Sequence, residues 1–485
     1  MSNTQNNNES SIASSFGWKM LERLFAQGSS IIIQIILARL LLPSDFGSLA
    51  IILAIVNYLS VFVQSGLSAA IIQKKEITPL DINTLFTISF GIAGVLYVLL
   101  FILAPHLAAF YNDSSLTNPI RVSAVLLFLF SIYSIQIGIL SRNMDFKTIA
   151  IRSSVVVPIS GGIAILMAYY GMGLWSLIVY SILNTLLACV AFSIGNKTSI
   201  KFQFSKKSAK DLYSFSIKIM GANMVSGFSD LFRTMSIGKK YTTSNLAYYD
   251  RAYYYANTIQ QVVNNSIQSV LLPVFSRKQD DISVLKELSR KSVRLSMFVM
   301  IPFLLGMVVI AKPLVLLLLT EKWLPCVPFL MLFLVFRLAG SVVGIDKQVY
   351  LALGKSTIIF YFEVFLLIAN IGMLLITIPI SVKAIAIGAF IVEYLSSLVL
   401  VVISRKVYDY RIRERVSDLY RPVLNSLLMM GTMWLVSQTQ LDGAALIILQ
   451  IIIGLVTYLV LSHVTKDSSL DYFVNTAKNK FNILK

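Results

Sequence analysis

Charge is scarce in this chain: 13% of its 485 residues are charged and 56% are hydrophobic, with a mean hydropathy of +0.77. Soluble domains carry about a quarter of their residues charged, so that class is excluded and a polytopic membrane protein remains. Cysteine and histidine are scarcer still. Cys189 and Cys326, like His106 and His463, stand far apart in sequence, which excludes a disulfide framework and a clustered metal site, so neither metal nor cofactor is expected. No nucleophile motif occurs, and no glycine-rich loop leads into a GK[ST] helix. LGKST at 353–357 lacks the preceding glycine and strand and reads as a turn between helices. No outer loop exceeds about 15 residues, too little to house catalysis. Acidic residues are also few, 23 against 41 basic. The net charge of +18 gathers in alternate loops, which points to topology by the positive-inside rule and away from nucleic acid.

Apolar stretches make up most of the chain. A hydrocarbon core about 30 Å thick takes about 20 helical residues per crossing, so this length holds roughly 12 to 14 helices. Glycine and proline standing within the apolar runs suit helices rather than alternating strands. Fourteen spans can be drawn, with both termini cytoplasmic, and the proposed inner loops then hold 25 basic residues against four in the outer turns. The expected organisation is a disordered polar tail (1–15), a first lobe of six helices (16–196), a basic linker (197–211), a second six-helix lobe (212–405), two further helices (406–465) and a cytoplasmic tail (466–485). In the first hairpin, Pro43 and Asp45 stop one helix and Gly47 lets the next start close against it. The tyrosines at 248, 249, 253, 254 and 255 read as an interfacial aromatic belt rather than a sugar-stacking platform.

The first span carries Arg23, Gln27, Ser30 and Gln34 at spacings of four, three and four, which stacks them on one helical face. A polar stripe is costly against lipid, so it should face a watery interior. A second stripe, Asn223, Ser226, Asp230 and Arg233, follows about 200 residues later. An offset of 199 pairs Lys19 with Lys218, Gln27 with Ser226 and Gln34 with Arg233. One more residue of offset pairs Ser44 with Ser244 and Ile71-Ile72 with Leu271-Leu272. Matched positions in matched elements suggest two pseudo-symmetric lobes around a central cavity.

Charges within apparent spans are Lys19, Arg23, Arg152, Lys218, Asp230, Arg233, Arg337, Asp346, Lys347, Glu363 and Glu393. A charge at the bilayer centre costs about 2.5–3.5 kcal/mol on insertion scales, so one at that depth marks a pathway. Lys19, Lys218 and Lys347 stand near an inner end, where a lysine can instead snorkel, and Asp230 can neutralise Arg233. Cations dominate both stripes, which predicts an anionic cargo, and Asn223, Gln27, Ser30 and Ser226 offer neutral hydrogen bonds suited to a sugar. The candidate cargo site is therefore Lys19, Arg23, Gln27, Ser30, Gln34, Arg152, Lys218, Asn223, Ser226, Arg233 and Arg337, and the candidates for ion coupling are Asp230, Glu363 and Glu393.

ARLLLPSDFGSLA, GLSAAIIQKKEITPLDINTLF, SRNMDFKTIAIRS, GMGLWSLI and YYDRAYYYANTI together resemble the Wzx-type oligosaccharide flippases of the MOP superfamily, above all the WzxC-like polysaccharide exporters. The resemblance runs from residue 15 to about 405. It implies two six-helix lobes with two helices appended, a bacterial cytoplasmic membrane, and outward movement of undecaprenyl-pyrophosphate-linked oligosaccharide by alternating access. Membrane lipids, a coupling H+ or Na+ and the polysaccharide polymerase machinery are the implied partners. Two competing readings are a cation-coupled multidrug exporter of the same superfamily, which favours buried carboxylates over arginines, and a membrane glycan polymerase or ligase, which needs a substantial outer loop.

Overall fold

A computed structural model describes residues 28–64, 66–74, 76–194 and 201–483. Among them every regular element is helical. Ten helical segments are long and apolar enough to cross a membrane. Four more helices stand where the remaining predicted spans fall: Gly28–Leu40 (α1), Lys206–Lys240 (α9), Thr243–Ser276 (α10) and Ile412–Val436 (α15). Their described lengths or polar content keep them outside that criterion, so the structure supports the polytopic all-helical class without fixing the count at 14.

By its contacts the chain divides into two compact units, Met1–Ala247 and Tyr248–Lys485. In the first, α1 gives way to α2 (Pro43–Gln64) and α3 (Leu67–Gln73), then α4 (Pro79–Phe110), α5 (Thr117–Ser123), α6 (Leu126–Arg142), α7 (Phe146–Tyr169) and α8 (Leu174–Ser193). The turn into α2 forms as its residues dictate: Pro43 opens the helix and Leu42 N–H donates to Asp45 Oδ2 at 3.1 Å. The reason for Gly47 lies elsewhere. A Cβ there would stand 1.8 Å from the Thr243 carbonyl oxygen, so glycine lets the backbone starting α10 touch α2. The second predicted span is also broken: Gly66, with φ of 80°, separates α2 from α3. A core of Leu67, Ile71, Leu85, Phe86, Ile135 and Leu212 then joins α3, α4, α6 and α9. By contact, α9 thus groups with the first unit, although the repeat places it at the start of the second lobe.

The second unit holds the rest of α10 with α11 (Ile282–Leu319), α12 (Val327–Ala352), α13 (Ser356–Thr377), α14 (Val382–Tyr408), α15, α16 (Gly443–Val464) and α17 (Ser468–Ile483). Helix α11 is its spine, packing against α12, α15 and α16. Polar contacts fasten the appended pair. Tyr458 Oη donates to the Phe298 carbonyl at 2.8 Å, and Asp418 takes two bonds from Arg290 at 2.9 and 3.0 Å. The tail expected after residue 466 folds as α17, whose Phe473 stacks on Phe298 with ring centroids 5.8 Å apart. The tyrosine cluster differs from the expected belt. Tyr249 is 2% exposed and packs against Phe333 at 5.0 Å, and Tyr253 meets the same ring at 5.5 Å, so these rings join α10 to α12 inside the unit.

Candidate functional site

A polar cavity of about 530 Å³ lies within the second unit, among α10, α12, α13 and α14. Helix α12 supplies its backbone. Arg337, Gly340, Gly344, Lys347 and Gln348 line it at spacings of three, four, three and one, which keeps them on one helical face. Arg337 is the tenth residue from the start of α12 at Val327 when the first is not counted, so it sits well inside the span. Its guanidinium carbon lies 4.6 Å from the Tyr253 ring centroid and 5.1 Å from that of Phe336. Such cation–π contacts hold a charge where water is scarce. Gln260 of α10 fixes the backbone beneath, donating from Nε2 to the Arg337 carbonyl and to Ser341 Oγ, both at 3.0 Å.

Arginine Nε and Nη2 are buried without a hydrogen-bond partner. Leaving such a donor unmatched costs about 1–3 kcal/mol, more for charged groups, so this position asks for an explanation beyond packing. Glu393 of α14 lines the same cavity. Its Oε1 would stand 3.3 Å from a Cβ built on Gly340, and Gln260 Nε2 would stand 3.4 Å away. Glycine is what admits both side chains over α12. Further along α12, Lys347 Nζ binds Glu363 Oε1 of α13 at 2.6 Å. Ten residues at 1.5 Å each separate this pair from Arg337 by about 15 Å along the axis. The cavity is therefore lined by two cations, one carboxylate and the amides of Asn257, Gln260 and Gln261, with the Glu363 carboxylate held beside it by Lys347.

Of the residues singled out by sequence, Arg337 and Glu393 thus come together in the lining, and Glu363 joins them through Lys347. Lys347 enters as the partner of Glu363 rather than as a snorkelling lysine. The α10 amides were missed. Their signal was the i, i+3, i+4 spacing of Asn257, Gln260 and Gln261, hidden beside the conspicuous tyrosines. The remaining candidates lie in the first unit or outside the described residues. Lys19, Arg23 and Gln27 lie outside them, as do the side chains of Lys218 and Ser226. Ser30 and Gln34 are half-buried on α1 and Asn223 is exposed on α9. Arg233 is bonded to Asp230 at 2.8 Å, the local neutralisation their spacing allows. Arg152 of α7 donates to the Ala191 carbonyl at 2.8 Å, near the end of α8, where a cation is favoured by the helix dipole.

Asp346, another charge noted in a span, has a structural partner. It is 1% exposed, bonds Arg415 of α15 at 2.8 Å and accepts from Tyr408 Oη at 2.6 Å.

Comparison with known proteins agrees with this architecture. A profile described as "Polysaccharide biosynthesis protein" matches residues 36–328. The succinoglycan biosynthesis transport protein ExoT of Rhizobium meliloti (strain 1021) is 24% identical over 316 residues, 65% of this chain and 64% of that protein. The lipopolysaccharide biosynthesis protein WzxC of Escherichia coli (strain K12) is 23% identical over 351 residues, 72% of this chain and 71% of that protein. The chain thus spans 64% of the length of the first curated relatives it matches. The lipid II flippase MurJ in an inward closed conformation superposes with a TM-score of 0.77 at 16% identity, over 92% of this chain and 98% of that one. An inward-facing multidrug resistance MATE transporter of the MOP superfamily gives 0.61 at 14% identity, over 82% and 95%. With a profile match over more than half its length, the chain belongs to the polysaccharide biosynthesis protein family, and its fold is that shared by the two solved transporters.

Proposed function

We propose that the protein is a flippase, not an enzyme, that moves an undecaprenyl-pyrophosphate-linked oligosaccharide from the inner to the outer leaflet of a bacterial cytoplasmic membrane for surface polysaccharide assembly. Relatives named for succinoglycan transport and lipopolysaccharide synthesis support this class of cargo, as does the fold shared with a lipid II flippase. The observation that carries the reading is the hydrophilic cavity set within membrane-length helices, with Arg337 and Glu393 deep in their spans. A drug exporter for cationic compounds is disfavoured there, because Lys347 neutralises Glu363 and Arg337 shares the cavity with Glu393. In this scheme both termini are cytoplasmic and transport proceeds by alternating access. Glu363 and Glu393 are the coupling candidates for an inward-moving H+ or Na+.

No nucleotide hydrolysis is required. A pyrophosphate group carrying about two negative charges gains roughly 4–5 kcal/mol per 100 mV on leaving a cell that is negative inside. The test uses vesicles containing the purified full chain and a fluorescent lipid-linked oligosaccharide, with outer-leaflet arrival read by an impermeant quencher. Net transport should fall sharply when the potential and ion gradients are collapsed. An unchanged rate, or a strict need for ATP, sinks the mechanism.

A further inference from the structure

Four kinds of group meet in the cavity of the second unit: a guanidinium with two unmatched donors, a lysine–glutamate pair, a second carboxylate, and side-chain amides. We propose that this cavity is a subsite for an acidic sugar, in which Arg337 takes the carboxylate of a uronic-acid-type residue and Asn257 and Gln261 bind its hydroxyls. This inference rests on the flippase reading and deepens it, because it assigns the second unit's cavity to the glycan rather than to the lipid pyrophosphate.

Two features favour a carboxylate over pyrophosphate. Before any cargo enters, Lys347 is neutralised by Glu363 and Arg337 shares the cavity with Glu393. One added carboxylate leaves a single excess charge, whereas pyrophosphate brings about two into a space already balanced by Glu393 and the Lys347–Glu363 pair. The second feature is shape. The unmatched nitrogens Nε and Nη2 form one edge of the guanidinium, the pair that accepts a planar carboxylate side-on through two parallel bonds. In the present state this edge is closed off from solvent, so binding through it requires rotation of the terminal torsions.

The amides supply what a sugar needs in addition to charge, since each offers donors and an acceptor to ring hydroxyls. Glu393, admitted over α12 by Gly340, accepts from a further hydroxyl in this scheme. At about 530 Å³ the cavity falls within the roughly 300–1,000 Å³ typical of small-molecule sites.

The test is ligand binding to the full chain in detergent, followed by saturation-transfer NMR, with methyl glucuronide, methyl glucoside and inorganic pyrophosphate as probes. The glucuronide should bind at least tenfold more tightly than the glucoside and should resist displacement by equimolar pyrophosphate. Arg337→Gln should remove that preference and Arg337→Lys should keep part of it, because an ammonium retains the charge without the fork. If Arg337→Gln does not fold, Arg337→Lys beside the Asn257→Ala/Gln261→Ala double variant carries the test. The double variant should weaken both sugars alike and leave their ratio unchanged. Equal binding of the two sugars, displacement by less pyrophosphate than glucuronide, or wild-type selectivity in Arg337→Lys overturns the assignment. Vesicle transport separates the two claims. Selective sugar binding without translocation removes the flippase reading alone, and translocation without sugar selectivity removes this inference alone.

Discussion

Asp346 and Arg415 form the most deeply buried ion pair described in the chain, with side chains 1% and 5% exposed and a contact of 2.8 Å. The carboxylate also accepts from Tyr408 Oη at 2.6 Å. Truncating one partner of such a pair strands the other charge, which costs about 3–5 kcal/mol. Arg415→Leu should therefore strand Asp346, and Asp346→Leu should strand Arg415. If the second unit melts cooperatively, each should lower the midpoint by about 6–20 °C, taking about 2–4 °C per kcal/mol for units of this size. The double variant Asp346→Leu/Arg415→Leu removes both charges and should recover most of the loss, since an apolar replacement of a buried pair is often neutral. The assay is the melting curve of the full chain in detergent, read by intrinsic fluorescence. Single variants that melt like wild type, or a double variant no better than the singles, would refute the view that this pair fastens α15 to α12.

Gly340→Ala should reduce transport severalfold, because its Cβ crowds Glu393 and Gln260. Stability should hold or rise by about 0.5–1 kcal/mol from helix propensity, so transport and melting measured together separate site from scaffold. Lys347→Glu and Glu363→Lys should each impair transport, and the charge-swapped pair should restore part of it if their 2.6 Å contact matters. Acid should loosen the clasp between α11 and α15. Burial raises the Glu414 pKa, but hydrogen bonds from the Arg411 N–H and Lys286 outweigh it and hold the carboxyl below its ordinary value. Its stabilisation is thus present above the unfolded pKa and lost as pH falls through the lower folded one, a dependence that Glu414→Gln should abolish in melting curves. For topology, cysteines at 203 or 279, in a chain lacking Cys189 and Cys326, should resist an impermeant thiol reagent in intact cells. A cysteine at 112 should react, and the reverse pattern would invert the assignment.

The membrane class, the helical fold and the positions of most helices were legible because they rest on hydropathy over some 20 residues, a signal that averages out local exceptions. Gly47 shows where that reading stops. Proline and aspartate announce the turn locally, but the need for glycine comes from Thr243, nearly 200 residues away, and no window along the chain holds both. The same distinction governs the charges. Spacing along one helix gave the Arg233–Asp230 pair, a contact at i, i+3. It could not give Asp346–Arg415 or Lys347–Glu363, whose partners stand on different helices. The in-span charges alone therefore mixed two populations: charges fastening one helix to another, such as Asp346, and charges lining a cavity, such as Arg337 and Glu393. What separates them in the structure is what each one faces. Asp346 and Arg415, each with buried polar atoms left unmatched, neutralise each other across two helices, whereas Arg337, likewise with two buried donors unmatched, lines a polar cavity. A cation placed in an apolar span without its full set of acceptors is stabilised by nothing in the resting fold beyond two rings and its neighbours' field. Arg337 and Arg415 each keep two buried donors unmatched, and of the two it is Arg337 that lines the polar cavity, so under the proposed function it is there that an anionic group has hydrogen bonds to satisfy.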